Sequence, residues 1–337
     1  MEHIKYSSIE NTYRQQFIDL IKEDGLDSGE WVVTEKVHGG QLAIYYDGNE
    51  FKASTRTAFL TDEIDFFNWP KVLEDNRDKI KKVYDLLKAK NKDISYIIVY
   101  GELFGGSYPH PEVNKVKGAK QLQKGVYYHP DNLFYAFDIR IDGKFLSVDE
   151  SSELFEQAGL FYAKPVFRGT MEECLKHSNQ FPSKISQWLG LPPIADNIAE
   201  GIVIKPVEPK FLGIGERVIL KSKNEKFEER KSIKKRPKKP VREVKFSENG
   251  ERLMEELESL VTENRLKNVL SKRSEMPYPV PPNYFGEIMK EFSLDIWEEF
   301  NKDFEQEFVN LDKQEQKKIS KDLNQVAAKL VKKALFS

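Results

Sequence analysis

The pattern of hydrophobic and polar positions divides the chain into a strand-rich part and a helical part. From Trp31 to about Asp149, short runs of apolar and β-branched residues alternate with Gly, Asn and Asp, which is typical of strands. Two more strand-like runs follow residue 200. The predicted strands cover 31–35, 41–46, 95–100, 133–141, 201–207 and 217–221.

Few helices interrupt these strands. Residues 73–90 carry apolar side chains at helical spacing, and Ser147 with Glu150 three residues later predicts a capping box that opens a helix ending at Gly159. So few helices cannot make every connection a parallel crossover. We therefore predict an α+β domain built on antiparallel sheets with flanking helices.

Beyond Phe246 the pattern becomes helical. One apolar stripe consists of Leu253, Leu257, Leu260 and Val261. A later helix is predicted near 313–335, and a proline-rich stretch at 276–282 separates the two. The C-terminal domain is therefore predicted to be all-α.

A basic stretch marks the predicted domain boundary. Residues 234–240 contain four lysines, one arginine and two prolines, and the prolines forbid a continuous helix. We predict a first domain at 1–233, a basic linker at 234–245 and a helical domain at 246–337.

Composition narrows the class of protein. A chain of 337 residues with 39 % hydrophobic content can form two domains, and its net charge of -2 gives no overall attraction to nucleic acid. The lone Cys174 cannot form an internal disulfide, and no signal peptide or membrane-spanning run is evident. We expect an intracellular protein in a reducing compartment, with no membrane partner.

Lys36 is the candidate nucleophile. It lies between an apolar-flanked strand and the Gly39-Gly40 turn, where bare backbone allows close approach to a phosphate. A free lysine has a pKa of about 10.4, so about one in 2,500 molecules is neutral at pH 7. Lys205, Lys221 and Lys223 would supply a positive field that favours the neutral amine, provided the fold gathers them. An isolated Lys-x-x-Gly is more often an ordinary surface lysine.

Acidic and aromatic candidates follow the same logic. Glu102 and Glu200 are possible partners for a metal or a ribose, although Glu102 could equally be a strand-edge carboxylate paired with a lysine. Taken singly, Phe137 is more typical of a core. Asp138 follows an apolar strand residue and must be paired or face a cleft.

Five segments, in order, resemble the motifs of the ligase and capping-enzyme superfamily of lysine nucleotidyltransferases. They are residues 35–39, 99–103, 134–138, 199–206 and 219–223. The Lys-x-His-Gly sequence around His38 resembles the double-stranded RNA ligase family, which includes phage RNA ligase 2 and the kinetoplastid RNA-editing ligases. Residues 5–10 and 53–57 also look like this family, so the resemblance covers residues 1 to about 230.

The resemblance implies a role for each matching residue. Lys36 would become AMP-linked, Glu35 would lie near the adenine, and His38 would assist with pyrophosphate or metal. Arg56 would contact the nucleotide or an RNA phosphate, and Glu102 the ribose. Phe137 would lie against the adenine, with Asp138 beside it, and Glu200 would organise the metal. The phosphates would be bound by Lys205, Lys221 and Lys223.

The resemblance also implies a reaction. ATP would adenylate Lys36, AMP would pass to an RNA 5′-phosphate, and a 3′-OH would displace AMP to seal a nick in duplex or bridged RNA. Magnesium, or manganese in its place, would be the metal, and the protein would act as a monomer. Residues 262–272 resemble the RNA-engaging domain of the family, although an amphipathic helix with a solvated face is an alternative. The basic linker could bind the backbone of the RNA duplex, and a hinge without RNA contact is the alternative there.

Three alternatives remain open from the sequence. A DNA ligase or a capping enzyme of the same superfamily is disfavoured, because the residues after Lys223 are soon basic and then helical, without the strands of an OB-fold. A catalytically silent RNA-end-binding module is the third. The long segment 105–130 departs from compact members and could be a lid, an RNA-binding insertion or a tolerated excursion.

Overall fold

The protein consists of two compact units, Met1–Lys226 and Phe227–Ser337. The computed structural model describes residues 1–64, 66–122, 124–213, 215–227, 246–271 and 284–335. The predicted linker at 234–245 and the proline-rich stretch at 276–282 lie outside the described residues. The exact domain boundaries therefore stay predictions.

Two five-stranded sheets form the framework of the first unit. The strands are β1 (Glu10–Asn11), β2 (Trp31–Lys36), β3 (Gly40–Tyr46), β4 (Phe51–Ser54), β5 (Ile97–Gly105), β6 (Asn132–Ile141), β7 (Lys144–Phe145), β8 (Pro165–Gly169), β9 (Gly201–Pro206) and β10 (Leu220–Lys223). One sheet has the order β1-β10-β9-β2-β8 and the other β4-β3-β5-β6-β7. All strand pairs in them are antiparallel except β1 with β10. The predicted α+β class with antiparallel sheets is confirmed.

Helices flank these sheets. They are α1 (Gln15–Glu23), α2 (Trp69–Lys90), α3 (Val148–Ala158), α4 (Met171–Leu175) and α5 (Ile185–Trp188). The helix predicted at 73–90 begins four residues earlier, because Pro70 occupies the first turn, where a missing N–H costs no hydrogen bond. The capping box at Ser147 and Glu150 is confirmed, and Gly159 ends α3 in the left-handed conformation at φ 72°.

Apolar side chains pack the helices against the two sheets. On the second sheet, Leu42, Ile44 and Val99 pack with Ile80 and Val83 of α2. On the first sheet, α1 and α4 cover the side chains of β2 and β9. The chemistry-bearing lysines are therefore held on strands whose neighbours are anchored in a core.

Two strands differ from their predicted extents. The strand predicted at 95–100 continues to Gly105 and so includes Glu102, because backbone pairing with β3 and β6 continues past the polar residue. The strand predicted at 217–221 covers Leu220–Lys223 instead, and Arg217 before it belongs to a buried cluster described below. The sequence prediction therefore ended β5 too early, before the polar Glu102, and began β10 too early, at Arg217.

The described residues of the second unit are helical. Its helices are α6 (Glu248–Leu260), α7 (Glu263–Ser271), α8 (Phe285–Val309) and α9 (Lys313–Leu335). Leu253 and Leu257 of the predicted stripe are fully buried against Ile288, Phe292 and Leu323. The all-α prediction is confirmed for these residues. Across the described part of both units, no helix combines the length and hydrophobicity that crossing a bilayer requires.

Candidate active site

The candidate site is built on three adjacent strands. Lys36, the last residue of β2, aligns with Gly201, the first residue of β9, and Gly201 aligns with Lys223, the last residue of β10. Residues directly opposite each other in a sheet project from the same face. Lys36 and Lys223 therefore project side by side across a residue that has no side chain.

Glu200 connects these two lysines. Lys36 Nζ donates to Glu200 Oε2 over 2.8 Å, and Lys223 Nζ lies 3.3 Å from Glu200 Oε1. His38 Nδ1 lies 3.6 Å from the same Oε2 atom as Lys36. Glu200 is 1 % exposed whereas Lys36 is 19 % exposed. The lysine therefore reaches solvent while its carboxylate partner is buried.

The charge of Glu200 is set by its neighbours. Burial raises the pKa of its carboxyl, but the positive charges of Lys36 and Lys223, with His38, outweigh burial and hold the pKa well below its ordinary value. Glu200 is thus an ionised carboxylate at neutral pH. Its backbone also accepts a hydrogen bond from Asn224 N over 2.8 Å, which ties the end of β10 to the start of β9.

Glu102 is the second carboxyl at this site. Burial raises its pKa to about 7, Lys36 and the Gly39 backbone N–H lower it, and the charge of Glu200 raises it again. An added Cβ at Gly39 would lie 2.1 Å from Leu103 O and 2.9 Å from Glu102 Cγ, so only glycine allows this approach. The turn after the lysine is therefore packed directly against β5.

Tyr128 holds the other side of that turn. Its hydroxyl accepts a hydrogen bond from His38 N over 2.9 Å, and its ring lies edge-on to Phe104 at a centroid distance of 5.6 Å. Tyr128 is 2 % exposed. Burial raises the pKa of its phenol, and the negative charges of Glu35 and Glu200 raise it further. The hydroxyl therefore stays neutral and available as an acceptor.

Glu35 lies on the opposite face of β2 from Lys36. Its Oε1 accepts from Ser183 Oγ over 2.6 Å and its Oε2 from Lys184 N over 2.8 Å. Burial raises its pKa to about 7, although both hydrogen bonds oppose the rise. The carboxylate therefore connects β2 to the segment before α5, and its predicted contact with adenine stays a prediction.

Lys205 belongs to a different cluster. It aligns with Val32, four residues along β2 from Lys36, which corresponds to about 13 Å along a strand. Its ammonium lies 2.8 Å from Asp138 Oδ1 and donates to Phe137 O over 3.0 Å. Lys205 is 5 % exposed. The structure therefore does not bring Lys205 to Lys36, and its predicted phosphate contact stays a prediction.

Asp138 is the centre of that cluster. Arg217 donates to both of its carboxylate oxygens, over 2.8 and 3.1 Å, and Tyr6 donates to Oδ2. Burial raises the Asp138 pKa, but the positive charges of Arg217 and Lys205 outweigh it and hold the pKa far below its ordinary value. The expectation that Asp138 must be paired is thereby met. Because Asp138 is on β6 and Lys205 on β9, the cluster joins the two sheets.

The other predicted residues lie at several places. The Phe137 ring packs 5.2 Å from the ring of Tyr6, and exposed Arg56 donates to Ser8 Oγ over 3.1 Å. Lys221 is half-buried two residues before Lys223 on β10, and so projects from the same face. Only His38, Glu102, Glu200 and Lys223 are thus brought to Lys36 by the contacts described above.

The acidic residues suit a metal that is held partly by substrate. No group of three or more His, Cys, Asp and Glu side chains suited to a metal occurs among the described residues. Mg²⁺ is commonly bound by one or two carboxylates together with substrate phosphates and water. Ionised Glu200 fits that mode, with Glu102 as the second carboxyl. The described carboxyl groups could thus supply one or two ligands to such a metal.

Sequence reasoning missed several supporting residues. Tyr128 holds the His38 turn and Ser183 holds Glu35. Tyr6 and Arg217 both hold Asp138. Arg217 carried a usable signal, since this cation directly precedes the apolar run Val218-Ile219-Leu220. The others are ordinary loop residues in the sequence, and only the fold reveals their partners.

Two family models match the chain. The RNA ligase family matches residues 29–223, and the T4 RNA ligase 2 C-terminal family matches residues 243–329. The first match spans the strands that carry Lys36, Glu102, Glu200 and Lys223. It does not favour the DNA ligase and capping-enzyme alternatives.

Curated relatives agree with these matches. RNA-editing ligase 2, mitochondrial, of Trypanosoma brucei brucei is 30 % identical over 322 residues, which cover 81 % of this chain and 77 % of that protein. RNA-editing ligase 1, mitochondrial, of the same organism is 32 % identical over 222 residues. The chain spans about half the length of the latter, 47 %, and 56 % of this chain is covered.

Solved structures give weaker matches. A Naegleria gruberi RNA ligase variant with AMP and Mn aligns at a TM-score of 0.45 and 16 % identity, covering 66 % of this chain and 57 % of that one. A second variant of that ligase, without ligand, aligns at 0.44 and 17 %, covering 66 % and 57 %. On the family models and the curated relatives, this chain belongs to the RNA ligase family.

Proposed function

We propose that this RNA ligase joins a 5′-phosphate to a 3′-OH at nicks in duplex or bridged RNA, acting as a monomer and using ATP with Mg²⁺ or Mn²⁺. The observation that carries the proposal is the contact of Lys36 with the buried, ionised Glu200 beside Lys223. A solvent-reaching amine next to a buried carboxylate and a second cation suits covalent capture of a nucleotide. Cys174, buried and free, is in keeping with a reducing compartment.

In the first step, Lys36 Nζ attacks the α-phosphorus of ATP. The neutral amine attacks, the Nζ–P bond forms, the bond from that phosphorus to the bridging oxygen breaks, and pyrophosphate leaves. The nitrogen gives up one proton to solvent and keeps the other. Glu200 accepts a hydrogen bond from Nζ and so orients the amine toward the phosphorus. A divalent metal held by Glu200 and the ATP phosphates would neutralise charge on the leaving group.

In the second and third steps, the adenylate moves to RNA and is then released. A 5′-phosphate oxygen attacks the lysyl-AMP phosphorus and returns the electron pair to Lys36 Nζ. The neighbouring 3′-OH then attacks the activated 5′-phosphorus, which expels AMP and forms the phosphodiester. Lys223 and Lys221, on one face of β10, are proposed to bind phosphate oxygens in these steps.

The remaining roles rest on the resemblance. We propose that Phe137 contacts adenine, Glu102 the ribose, Glu35 the region of the adenine, and Arg56 a phosphate. Arg56 is accessible to RNA because its side chain is exposed and donates to another exposed group, the Ser8 hydroxyl. Lys205 is the least supported of the predicted phosphate ligands, because Asp138 and the Phe137 carbonyl already hold its ammonium.

Covalent labelling tests the first step. The protein is incubated with Mg²⁺ and ATP labelled at the α-phosphate, then denatured, with Lys36→Ala and labelled GTP in parallel. We expect label from ATP that survives denaturation and is absent in Lys36→Ala. Label from GTP would favour a capping activity, and label in Lys36→Ala would exclude Lys36 as the nucleophile. RNA binding without any label would favour the silent end-binding module.

Sealing assays test the substrate. Matched nicks with RNA or DNA on the 3′-OH side, in a duplex and on a single strand, are compared at equal enzyme. We expect the duplex nick with RNA on that side to be sealed most rapidly. A strong preference for a DNA 3′-OH would contradict the proposed RNA specificity.

The helical unit is proposed to engage RNA. Truncation to residues 1–235 should leave adenylation of Lys36 intact, because the nucleotide motifs all precede that point, whereas nick sealing should fall. If truncation abolishes adenylation, the proposed division between the two units is wrong. We propose that the linker residues Lys234–Lys239 also engage RNA, and the adenylation and sealing assays apply to them as well.

A further inference from the structure

A cluster of lysines lies on the long connection between β5 and β6. The described residues 110–122 and 124, here called the basic loop, contain Lys115, Lys117, Lys120 and Lys124 but only one acidic residue, Glu112. Four lysines less one glutamate give this short stretch a formal charge of +3, in a chain whose net charge is -2. Local clustering of this kind is how a protein of neutral balance attracts a polyanion.

Three lysines of the basic loop are open to solvent. Lys115, Lys117 and Lys124 are exposed, and none of them forms an ion pair with another described residue. Exposed lysines elsewhere often do: Lys71 pairs with Asp75 and Asp131, and Lys176 pairs with Glu172. The positive potential of the basic loop therefore remains available to a partner.

Buried polar contacts fix the backbone of the basic loop. Asn132, which is fully buried, accepts from Lys120 N over 2.9 Å and donates to Lys120 O over 2.8 Å. Gly106 has a φ of 86°, and an added Cβ there would lie 2.0 Å from Lys120 O, so the approach requires glycine. A loop pinned in this way presents its lysines at a defined place, and binding pays little ordering entropy.

The basic loop is also attached to the turn after Lys36. Leu122 is buried next to that turn, 3.6 Å from the position of a Cβ added at Gly40. Four residues after Lys124, the Tyr128 hydroxyl accepts from His38 N. The chain therefore runs from Lys124 to the tyrosine that holds the turn after Lys36.

We propose that the basic loop binds the phosphate backbone of the RNA whose 5′-phosphate is joined at Lys36, through Lys115, Lys117 and Lys124. This inference rests on the proposed function. Phosphate contacts by lysine position a nucleic acid without reading its sequence. Each such contact releases counterions, so its loss lowers the dependence of affinity on salt.

The test compares two triple variants with equal changes in charge. Lys115→Ala, Lys117→Ala and Lys124→Ala are combined in one protein, and Lys81→Ala, Lys82→Ala and Lys90→Ala in the control, which removes three exposed lysines of α2. Affinity for a nicked RNA duplex is measured without ATP at several salt concentrations. Adenylation of Lys36 by labelled ATP is measured on the same preparations.

We expect the loop variant to be adenylated normally but to bind RNA more weakly, with a slope of log affinity against log salt that is smaller by about 1 per lysine, up to about 3 in total. The control should match the wild type in both assays. An unchanged slope in the loop variant, or an equal loss in the control, would overturn the proposal. Replacing the same three lysines by arginine should retain binding, and a loss there would also overturn it.

The two assays keep the loop and the enzyme apart. If the wild type binds RNA but is never adenylated, the proposed function fails and the salt slope still decides the role of the loop. If adenylation is normal and the slope is unchanged, the loop proposal alone fails.

Discussion

Lys36 and Lys223 occupy one row of three adjacent strands, each aligned with Gly201, and both contact the carboxylate of Glu200. Two cations on the strands that flank β9 would repel each other in a water-poor site. The carboxylate between them offsets that repulsion and keeps both ammonium groups on the same face. The geometry of the site therefore depends on a residue that has no side chain and on the acid that precedes it.

Gly201→Ala should damage the site without touching a charged group. A Cβ at Gly201, whose φ is 154°, would lie 2.1 Å from Ser222 O, so β9 and β10 must separate at this row. We expect a loss of about 1–3 kcal/mol in the free energy of unfolding and a large loss of adenylation by ATP. Gly213→Ala is the matched control, because a Cβ there meets nothing within 4 Å. Normal adenylation of Gly201→Ala would show that the row tolerates widening.

Lys205→Met distinguishes a structural lysine from a phosphate ligand. The substitution removes two buried hydrogen bonds, to Asp138 and the Phe137 carbonyl, while Arg217 still neutralises the aspartate. We expect a loss of about 2–3 kcal/mol in unfolding free energy, measured by urea denaturation, with little change in the ATP concentration that half-saturates adenylation.

Lys221→Met provides the comparison for Lys205→Met. Lys221 projects from the same face of β10 as Lys223, and its removal should weaken ATP use with a smaller effect on stability. The reverse pattern, with Lys205 affecting ATP saturation and Lys221 affecting stability, would restore the phosphate role of Lys205.

Glu35 should make the stability of the protein fall as pH rises. Its folded pKa of about 7 is above its ordinary value of 4.5, so the folded state holds the proton more tightly than the unfolded state does. This contribution is fully present below about pH 4.5 and is lost as pH rises through 7, by up to about 3 kcal/mol.

Thermal unfolding between pH 5 and pH 8 measures this effect. Glu35→Gln should flatten the pH dependence in that range, because a neutral amide does not titrate. Glu208→Gln, at an exposed position, should behave as the wild type does. Parallel curves for the wild type and Glu35→Gln would contradict the raised pKa.

Tyr128→Phe should slow adenylation while leaving the fold intact. The substitution removes the acceptor for the His38 backbone N–H and leaves that donor unsatisfied at a cost of about 1–3 kcal/mol. Because the turn after Lys36 would then be less well fixed, we expect a lower rate of adenylation at saturating ATP. Tyr127→Phe is the adjacent control, since Tyr127 bonds the Asn197 side chain through its backbone N–H and C=O groups. Equal rates for the two variants would mean that the hydroxyl does not position the turn.

Local patterns predicted six of the ten strands and missed the short strands β1, β4, β7 and β8. The successful predictions are those whose pattern has a local cause. The capping box at Ser147 and the glycine end of α3 depend on residues within one helix. The buried strands β2 and β6 follow from continuous apolar runs. The lysine–carboxylate site was also anticipated in part, since Lys36 ends an apolar-flanked strand and Glu200 directly precedes another, while the motif resemblance grouped Lys223 with them.

Partner choice across the sheets was not predictable from the sequence. Tyr6 bonds Asp138 from 132 residues away, and Arg217 bonds Tyr6 from 211 residues away. The alternation of a strand gives the face on which Lys205 projects but not the strand that crosses opposite it. Lys205 was therefore grouped with Lys221 and Lys223, although Asp138 holds it at the other end of β9.

The parallel pairing of β1 with β10 has a consequence for synthesis. Residues 10 and 11 pair with residues 220 and 221, so the sheet is completed only when nearly the whole first unit has left the ribosome. Lys36 is made early, but Glu200 follows 164 residues later, roughly 8–30 s at ordinary translation rates. Until then, the nascent chain carries Lys36 without its carboxylate partner. Capture of AMP by Lys36 would therefore report that β2, β9 and β10 have assembled.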